Sequence, residues 1–159
     1  MEMKPARSPE PTEAPAIADL WWRSWHDAHA DIVPSALVEL RTYESFLDRV
    51  QQKLNIIRVV GSIGKPVGMC YVVDEEMQQL FVSDSARGTG AASLLIKDAE
   101  LSLQKSGVKK TWLACSIGNY RAERFYEKCG WINAGKMIED LETSDGVFKL
   151  ETWRFEKDL

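Results

Sequence analysis

The chain is poor in the features that mark several large protein classes. It has three cysteines, Cys70, Cys115 and Cys129, and no CxxC pair. That is too few and too scattered for a disulfide framework or a cysteine-rich zinc site, so reduced, mostly buried thiols are expected. Its two histidines, His26 and His29, lie three apart without a third ligand, which falls short of a tetrahedral set, and no metal is expected. No apolar run approaches the roughly 18 residues that cross a bilayer. The start, Met1-Glu2-Met3-Lys4-Pro5, lacks the basic and apolar stretches of an export signal. No membrane partner and a cytoplasmic location are the default expectations. A net charge of -4 runs against the clustered basic face that a nucleic-acid partner requires.

With 45% hydrophobic and 28% charged residues, the composition is that of an ordinary globular chain. A single domain over 1–159 is expected, with residues 1–15 irregular because of Pro5, Pro9, Pro11 and Pro15, and a possible edge strand around Met3 to Arg7. Helical spacing predicts one helix from Ala16 to Ala30 and a second, unbroken, from Ser35 to Gln52, with Leu37, Leu40, Phe46, Leu47 and Val50 as its apolar stripe. The period then changes. Strands are predicted at Ile56 to Val60, Val67 to Val73 and Met77 to Val82, and a helix from Ala91 to Gln104 that Gly107 ends. A strand from Lys110 to Ser116, a helix from Asn119 to Lys128, and strands at Gly130 to Met137 and Val147 to Phe155 complete the chain. This order gives a mixed sheet flanked by helices.

The third of those strands runs straight into Arg87-Gly88-Thr89-Gly90-Ala91-Ala92 and then a helix. Such a junction holds phosphates, because a helix N-terminus offers unpaired amides and partial positive charge while glycine lets the anion approach the backbone. Arg87 adds a cation at its mouth. The GxxxxGK[ST] string of a nucleotide triphosphatase is absent. A dinucleotide fold would want glycine where Ser93 stands and an acid on the following strand, and Thr111 to Ser116 has none. Two glycines alone would fit a plain tight turn equally well.

The run from Leu80 to Ala92 resembles the acetyl-CoA signature of the GNAT N-acetyltransferase superfamily, [QR]-x-x-G-x-[GA], with Arg87, Gly90 and Ala92 at its three defined positions. Farther on, Asn119, Ala122, Phe125, Tyr126, Lys128, Gly130 and Trp131 resemble that family's second motif. The chain departs from the pattern at Asp84, where proline is common, and at Ala91, where a larger aliphatic is usual; neither change removes an amide donor. The resemblance implies an α+β fold with a mostly antiparallel, twisted sheet of six to seven strands and about four helices. It also implies acetyl-CoA as co-substrate, bound by Leu80, Phe81, Val82, Arg87, Gly88, Thr89, Gly90, Ala91, Ala92 and Asn119.

Acetyl transfer to an amine needs a neutral nucleophile, a stabilised oxyanion and a proton for the departing thiolate. The resemblance puts Tyr126 at the thiol-facing position, as acid. Glu76, opening the strand that leads to the glycine loop, is the expected base. A free backbone amide at Leu80 or a neighbour is expected to meet the oxyanion, and Asn119 to cap the helix it opens. The first helix usually contributes to the acceptor pocket in this family, which nominates Trp22, Trp25 and His29. Cys115 has no histidine after it in the chain, so direct transfer in a ternary complex is preferred to an acyl-enzyme. The alternative is a catalytically silent acyl-CoA-binding sensor of the same fold. The acceptor is expected to be a small-molecule, peptide or protein amine, and a homodimer through an edge strand or the last hairpin is compatible with the pattern.

Overall fold

In a computed structural model that describes residues 3–159, the chain runs α1 (Ala14–His29), α2 (Ser35–Leu40), α3 (Tyr43–Lys53), β1 (Arg58–Val60), β2 (Gly68–Val73), β3 (Glu76–Val82), α4 (Ala91–Lys105), β4 (Lys110–Ser116), α5 (Tyr120–Lys128), β5 (Ile132–Thr143) and β6 (Gly146–Asp158). The strands form one sheet in the order β1-β2-β3-β4-β6-β5. Every neighbouring pair is antiparallel except β3 with β4.

Strand alternation divides the core in two, because successive side chains leave a strand on opposite faces. Met69 and Tyr71 of β2 pack with Ile17, Trp21, Leu37, Phe46 and Val50 under α1–α3, whereas Cys70 between them joins Leu95, Ile96, Leu113, Trp131 and Phe155 under α4 and α5. Helices therefore cover both faces of the sheet. Among the described residues, no helix is long and apolar enough to cross a membrane.

Local signals account for most boundaries. Pro15 stands in the first turn of α1, where its missing N–H costs nothing. Asn119 accepts a hydrogen bond from the Ala122 amide at 3.3 Å, so it caps α5 as expected. Gly107, at φ 84°, ends α4.

Three expectations need correction. The helix expected from Ser35 to Gln52 is two helices, broken at Arg41 and Thr42. Arg41 leaves helical geometry at φ -91°, ψ 65°, and Thr42 starts α3 afresh by accepting from the Ser45 amide at 3.2 Å. The possible edge strand at Met3 to Arg7 is a single bridge between Arg7 and Val59. The last two strands reach farther than expected, to Thr143 and Asp158, and join in a tight hairpin at Ser144 and Asp145.

Candidate active site

The glycine loop is built by left-handed backbone. Gly88 and Gly90 take φ 77° and 89°, a region that costs other L-residues about 1–2 kcal/mol each. A Cβ at either would meet no atom within 4 Å, so it is the turn that demands glycine here, and the space above the loop stays open. Gly90 is the N-cap of α4, and among the described residues no side chain caps the first amides of that helix. Those amides and the helix dipole suit an anion. Arg87 is not a free cation: it is hydrogen-bonded to Asp27 of α1, and Arg121 lies 3.6 Å from the same carboxylate. Both guanidiniums hold the Asp27 carboxyl below its usual range, Arg87 by direct hydrogen bonding most of all.

Behind the loop the sheet opens. β3 and β4 pair only at Glu76 and Trp112, with the Trp112 amide donating to the Glu75 carbonyl at 3.3 Å, and then diverge. The register of β3 with β2 skips Gln78, since Tyr71 faces Gln79 while Val72 faces Met77. An extra residue of this kind bends the strand that carries it. Beyond the bulge the Ser83 amide donates to the Val67 carbonyl. Antiparallel bonding alternates residue by residue, so Phe81 and Gln79 bond toward β2, and Leu80 and Val82 turn their amides toward the gap that β4 has left.

A cavity of about 570 Å³ fills this opening. It runs from Arg87, Gly88 and Gly90 past Leu80 to Val82 and Leu113 to Ser116, and on to Trp25, His29, Arg41, Arg49 and Glu139. Asn119 and Tyr126 also line it. Tyr126 is held among Phe125, Trp131 and Phe155, with ring centroids 5.6, 6.2 and 5.8 Å away. Burial drives its phenol pKa upward, so the hydroxyl stays protonated throughout neutral pH.

Of the residues nominated from sequence, Leu80, Phe81, Val82, Arg87, Gly88, Gly90, Ala91, Ala92, Asn119, Tyr126, Trp25 and His29 meet in this cavity. Thr89, Trp22 and Glu76 are not on its wall. Thr89 turns its hydroxyl to the Ala86 carbonyl. Trp22 packs on Tyr43 and His26, at 5.9 and 6.2 Å. Glu76 accepts from Gln78 at 3.4 Å.

The carboxylate that does line the cavity is Glu139 of β5. Its pKa is raised to about 7, first by burial and then by the nearby Glu76 charge, against the opposing pull of Arg41. The signal for it was alternation: Met137, Glu139 and Leu141 face inward while Ile138 and Asp140 face solvent. Ending the strand at Met137 concealed it. His29 is stacked on Trp25 at 4.9 Å and faces the Trp25 carbonyl through Nδ1 at 2.9 Å. A carbonyl only accepts, so Nδ1 carries the proton and the neutral ring keeps Nε2 as an acceptor. Burial lowers its pKa to about 4. Among the described residues, no group of His, Cys, Asp and Glu is arranged to hold a metal.

Known proteins share this fold. A 73-residue stretch is 32% identical to uncharacterized N-acetyltransferases of Mycobacterium bovis and Mycobacterium tuberculosis, spanning 43% of this chain and 47% of each relative. The match thus extends over about half the length of those relatives. The fold matches a GCN5-related N-acetyltransferase from Rhodopseudomonas palustris at TM-score 0.73, with 18% identity over 100% of this chain and 99% of that one. It also matches the PaiA N-acetyltransferase of Thermoplasma acidophilum in complex with coenzyme A, at 0.69, 17% identity and 100% of both chains. A phosphinothricin acetyltransferase of Sinorhizobium meliloti in complex with acetyl-CoA gives 0.73, 14% identity, 100% of this chain and 89% of that one. At such identities these structures speak to the fold alone. Residues 14–131 match the Acetyltransferase (GNAT) family as a whole, and the chain belongs to that family.

Proposed function

We propose that this protein is an acetyl-CoA-dependent N-acetyltransferase that passes the acetyl group directly to an amine bound in the same cavity. The observation that carries this reading is the continuity of that cavity from the uncapped N-terminus of α4, through the gap between β3 and β4, to Glu139. The α4 amides and the Gly88–Gly90 turn fit a pyrophosphate, and Asn119, on the same wall, would hold the pantetheine arm. Acetyl-CoA bound there supplies an activated acyl carbon and a thiolate leaving group.

The chain's own groups do the rest. The amides of Leu80 and Val82 face the gap and stabilise negative charge on the thioester oxygen. Glu139, poised near neutral pH, takes the proton that the amine nitrogen loses as its lone pair attacks the carbonyl carbon. The C–S bond breaks with its electron pair on sulfur, and the Tyr126 hydroxyl donates to that sulfur. Glu139 is preferred to His29 as base because its conjugate acid is the weaker by about three pKa units, nearer the operating pH. Glu76 acts through Glu139 rather than on the amine.

Thiol release on mixing the protein with acetyl-CoA and an amine panel tests this. Acceptor-dependent thiol is expected, and Tyr126→Phe should lower kcat at least about tenfold while acetyl-CoA affinity stays within about twofold. Binding of acetyl-CoA without acceptor-dependent thiol would replace the enzyme by a sensor, and an unchanged kcat in Tyr126→Phe would remove the tyrosine from the reaction.

A further inference from the structure

Two of the cations that line the cavity, Arg41 and Arg49, belong neither to the glycine loop nor to α5, and the transfer chemistry does not use them. Arg41 sits at the break between α2 and α3, is 4% exposed, and lines the cavity together with Arg49 of α3. Among the described residues neither guanidinium lies within 4.0 Å of a carboxylate oxygen. Their hydrogen bonds go to backbone carbonyls: Arg41 Nη1 to Glu142 at 2.9 Å and Arg49 Nε to Ser45 at 3.4 Å. Among the described residues, Arg41 Nε and Arg49 Nη2 are buried with no hydrogen-bond partner. Arg49 lies over the adjoining rings of Trp21 and Phe46, 4.4 and 4.5 Å from their centroids.

Buried charge is retained only where something compensates it. Rings offset part of the cost at Arg49, and among the described residues Glu139 is the one acid on a wall that also carries Arg41, Arg49, Arg87, Arg121 and Lys128. Burial and the neighbouring Arg41 lower the Arg49 pKa to about 9, the mark of a cation that lacks its counter-ion. An incoming anion would supply it, and a guanidinium fork is shaped for a carboxylate.

Resting on the acetyltransferase reading, we infer that the acceptor is an amine with a carboxylate close by, a free amino acid, whose carboxylate Arg41 and Arg49 hold while its amine faces Glu139. Leu37, Leu141 and Leu150 on the same wall favour an apolar side chain. The break between α2 and α3 gains a purpose, since it is what brings Arg41 onto the wall. Arg41 also ties the break to the tip of the β5–β6 hairpin through the Glu142 carbonyl, so carboxylate binding and placement of Glu139 share one scaffold.

Matched acceptors provide the test: L-leucine against isoamylamine, L-phenylalanine against phenethylamine, and each amino acid against its C-terminal amide. The free amino acids should exceed their carboxylate-free partners in kcat/KM by about 100-fold or more, a ratio typical of one buried charged hydrogen-bonded contact. Arg49→Gln should lose about that factor on the amino acids, mainly in KM, and change the plain amines by less than about threefold, whereas Arg41→Gln, which also releases the hairpin that carries Glu139, should lower both but the amino acids by at least about tenfold more. Arg41→Lys should retain part of the preference. Coenzyme A affinity within about twofold of the parent certifies that each variant is folded. Equal turnover of the matched acceptors, or faster turnover of the amides or of a lysine peptide, overturns the carboxylate site and leaves the acetyltransferase standing. If no acceptor is acetylated, calorimetry on the coenzyme A-loaded protein decides: leucine binding more tightly than isoamylamine upholds the arginine site while the transferase fails, and no difference removes the site as well.

Discussion

At the scale of single residues, the division of labour between Glu76 and Glu139 can be checked by pH. The kcat/KM should rise with pH through about 7 and then level off, following ionisation of Glu139. Glu139→Gln should remove that limb and lower kcat/KM by about 10²–10⁴. Glu76→Gln should keep activity and move the limb to lower pH, because it deletes the like charge that helps hold Glu139 protonated. A Glu76→Gln enzyme that loses activity with no shift of the limb would return Glu76 to the role of base. Both acids are plain in the sequence, yet only backbone placement tells them apart. A second residue was illegible in the pattern: Glu13 is 2% exposed, pairs with Arg7 through both oxygens at 2.8 Å, and accepts from the amides of Glu10 at 2.7 Å and Gly64 at 2.9 Å. It ties the N-terminal segment, the start of α1 and the β1–β2 turn together across partners 51 residues apart. Glu13→Ala should lower the unfolding free energy by about 3 kcal/mol in urea titrations, since it strands these donors.

At the scale of elements, legibility follows how local the cause is. The glycine loop, the Asn119 cap and the Gly107 stop were readable, because each is set by residues within one turn of itself. The break between α2 and α3 was not. Leu37, Phe46 and Val50 keep helical spacing through it, no proline or glycine marks it, and the local trace is Thr42 with its bond from the Ser45 amide. The free amide at Leu80 was expected only through the family resemblance; the divergence of β3 from β4 that frees it goes with the residue skipped at Gln78 and depends on register between strands. Gly90→Ala tests the loop as an element. With φ at 89° and no atom near a new Cβ, the substitution leaves room but strains the backbone by about 1–2 kcal/mol. Coenzyme A affinity should fall by about tenfold as the loop relaxes from its left-handed turn, and an unchanged affinity would show that the α4 amides do not depend on that turn.

At the scale of the whole molecule, the cavity wall draws together pieces of α1, α3, β3, β4, α5 and β5, so its buried charges bear on the stability of the entire chain. Two of them oppose one another. Glu139 has its pKa raised from 4.5 to about 7, so its contribution is fully present below 4.5 and is lost as pH rises through about 7. His29 has its pKa lowered from 6.5 to about 4, so its contribution is present above 6.5 and is lost as pH falls through about 4. Each displacement corresponds to about 3 kcal/mol at its limit. Between pH 7 and 4.5 the two nearly cancel, and the parent protein should show a flat profile over that range in urea unfolding followed by tryptophan fluorescence. Removing one group uncovers the other. Glu139→Gln should lose stability steadily as pH drops below 6.5, whereas His29→Phe, which keeps the stack on Trp25, should gain stability as pH drops from 7 toward 4.5. Parallel profiles for parent and both variants would mean that neither group is held far from its unfolded pKa, and the case for Glu139 as a base poised at neutral pH would fall with them.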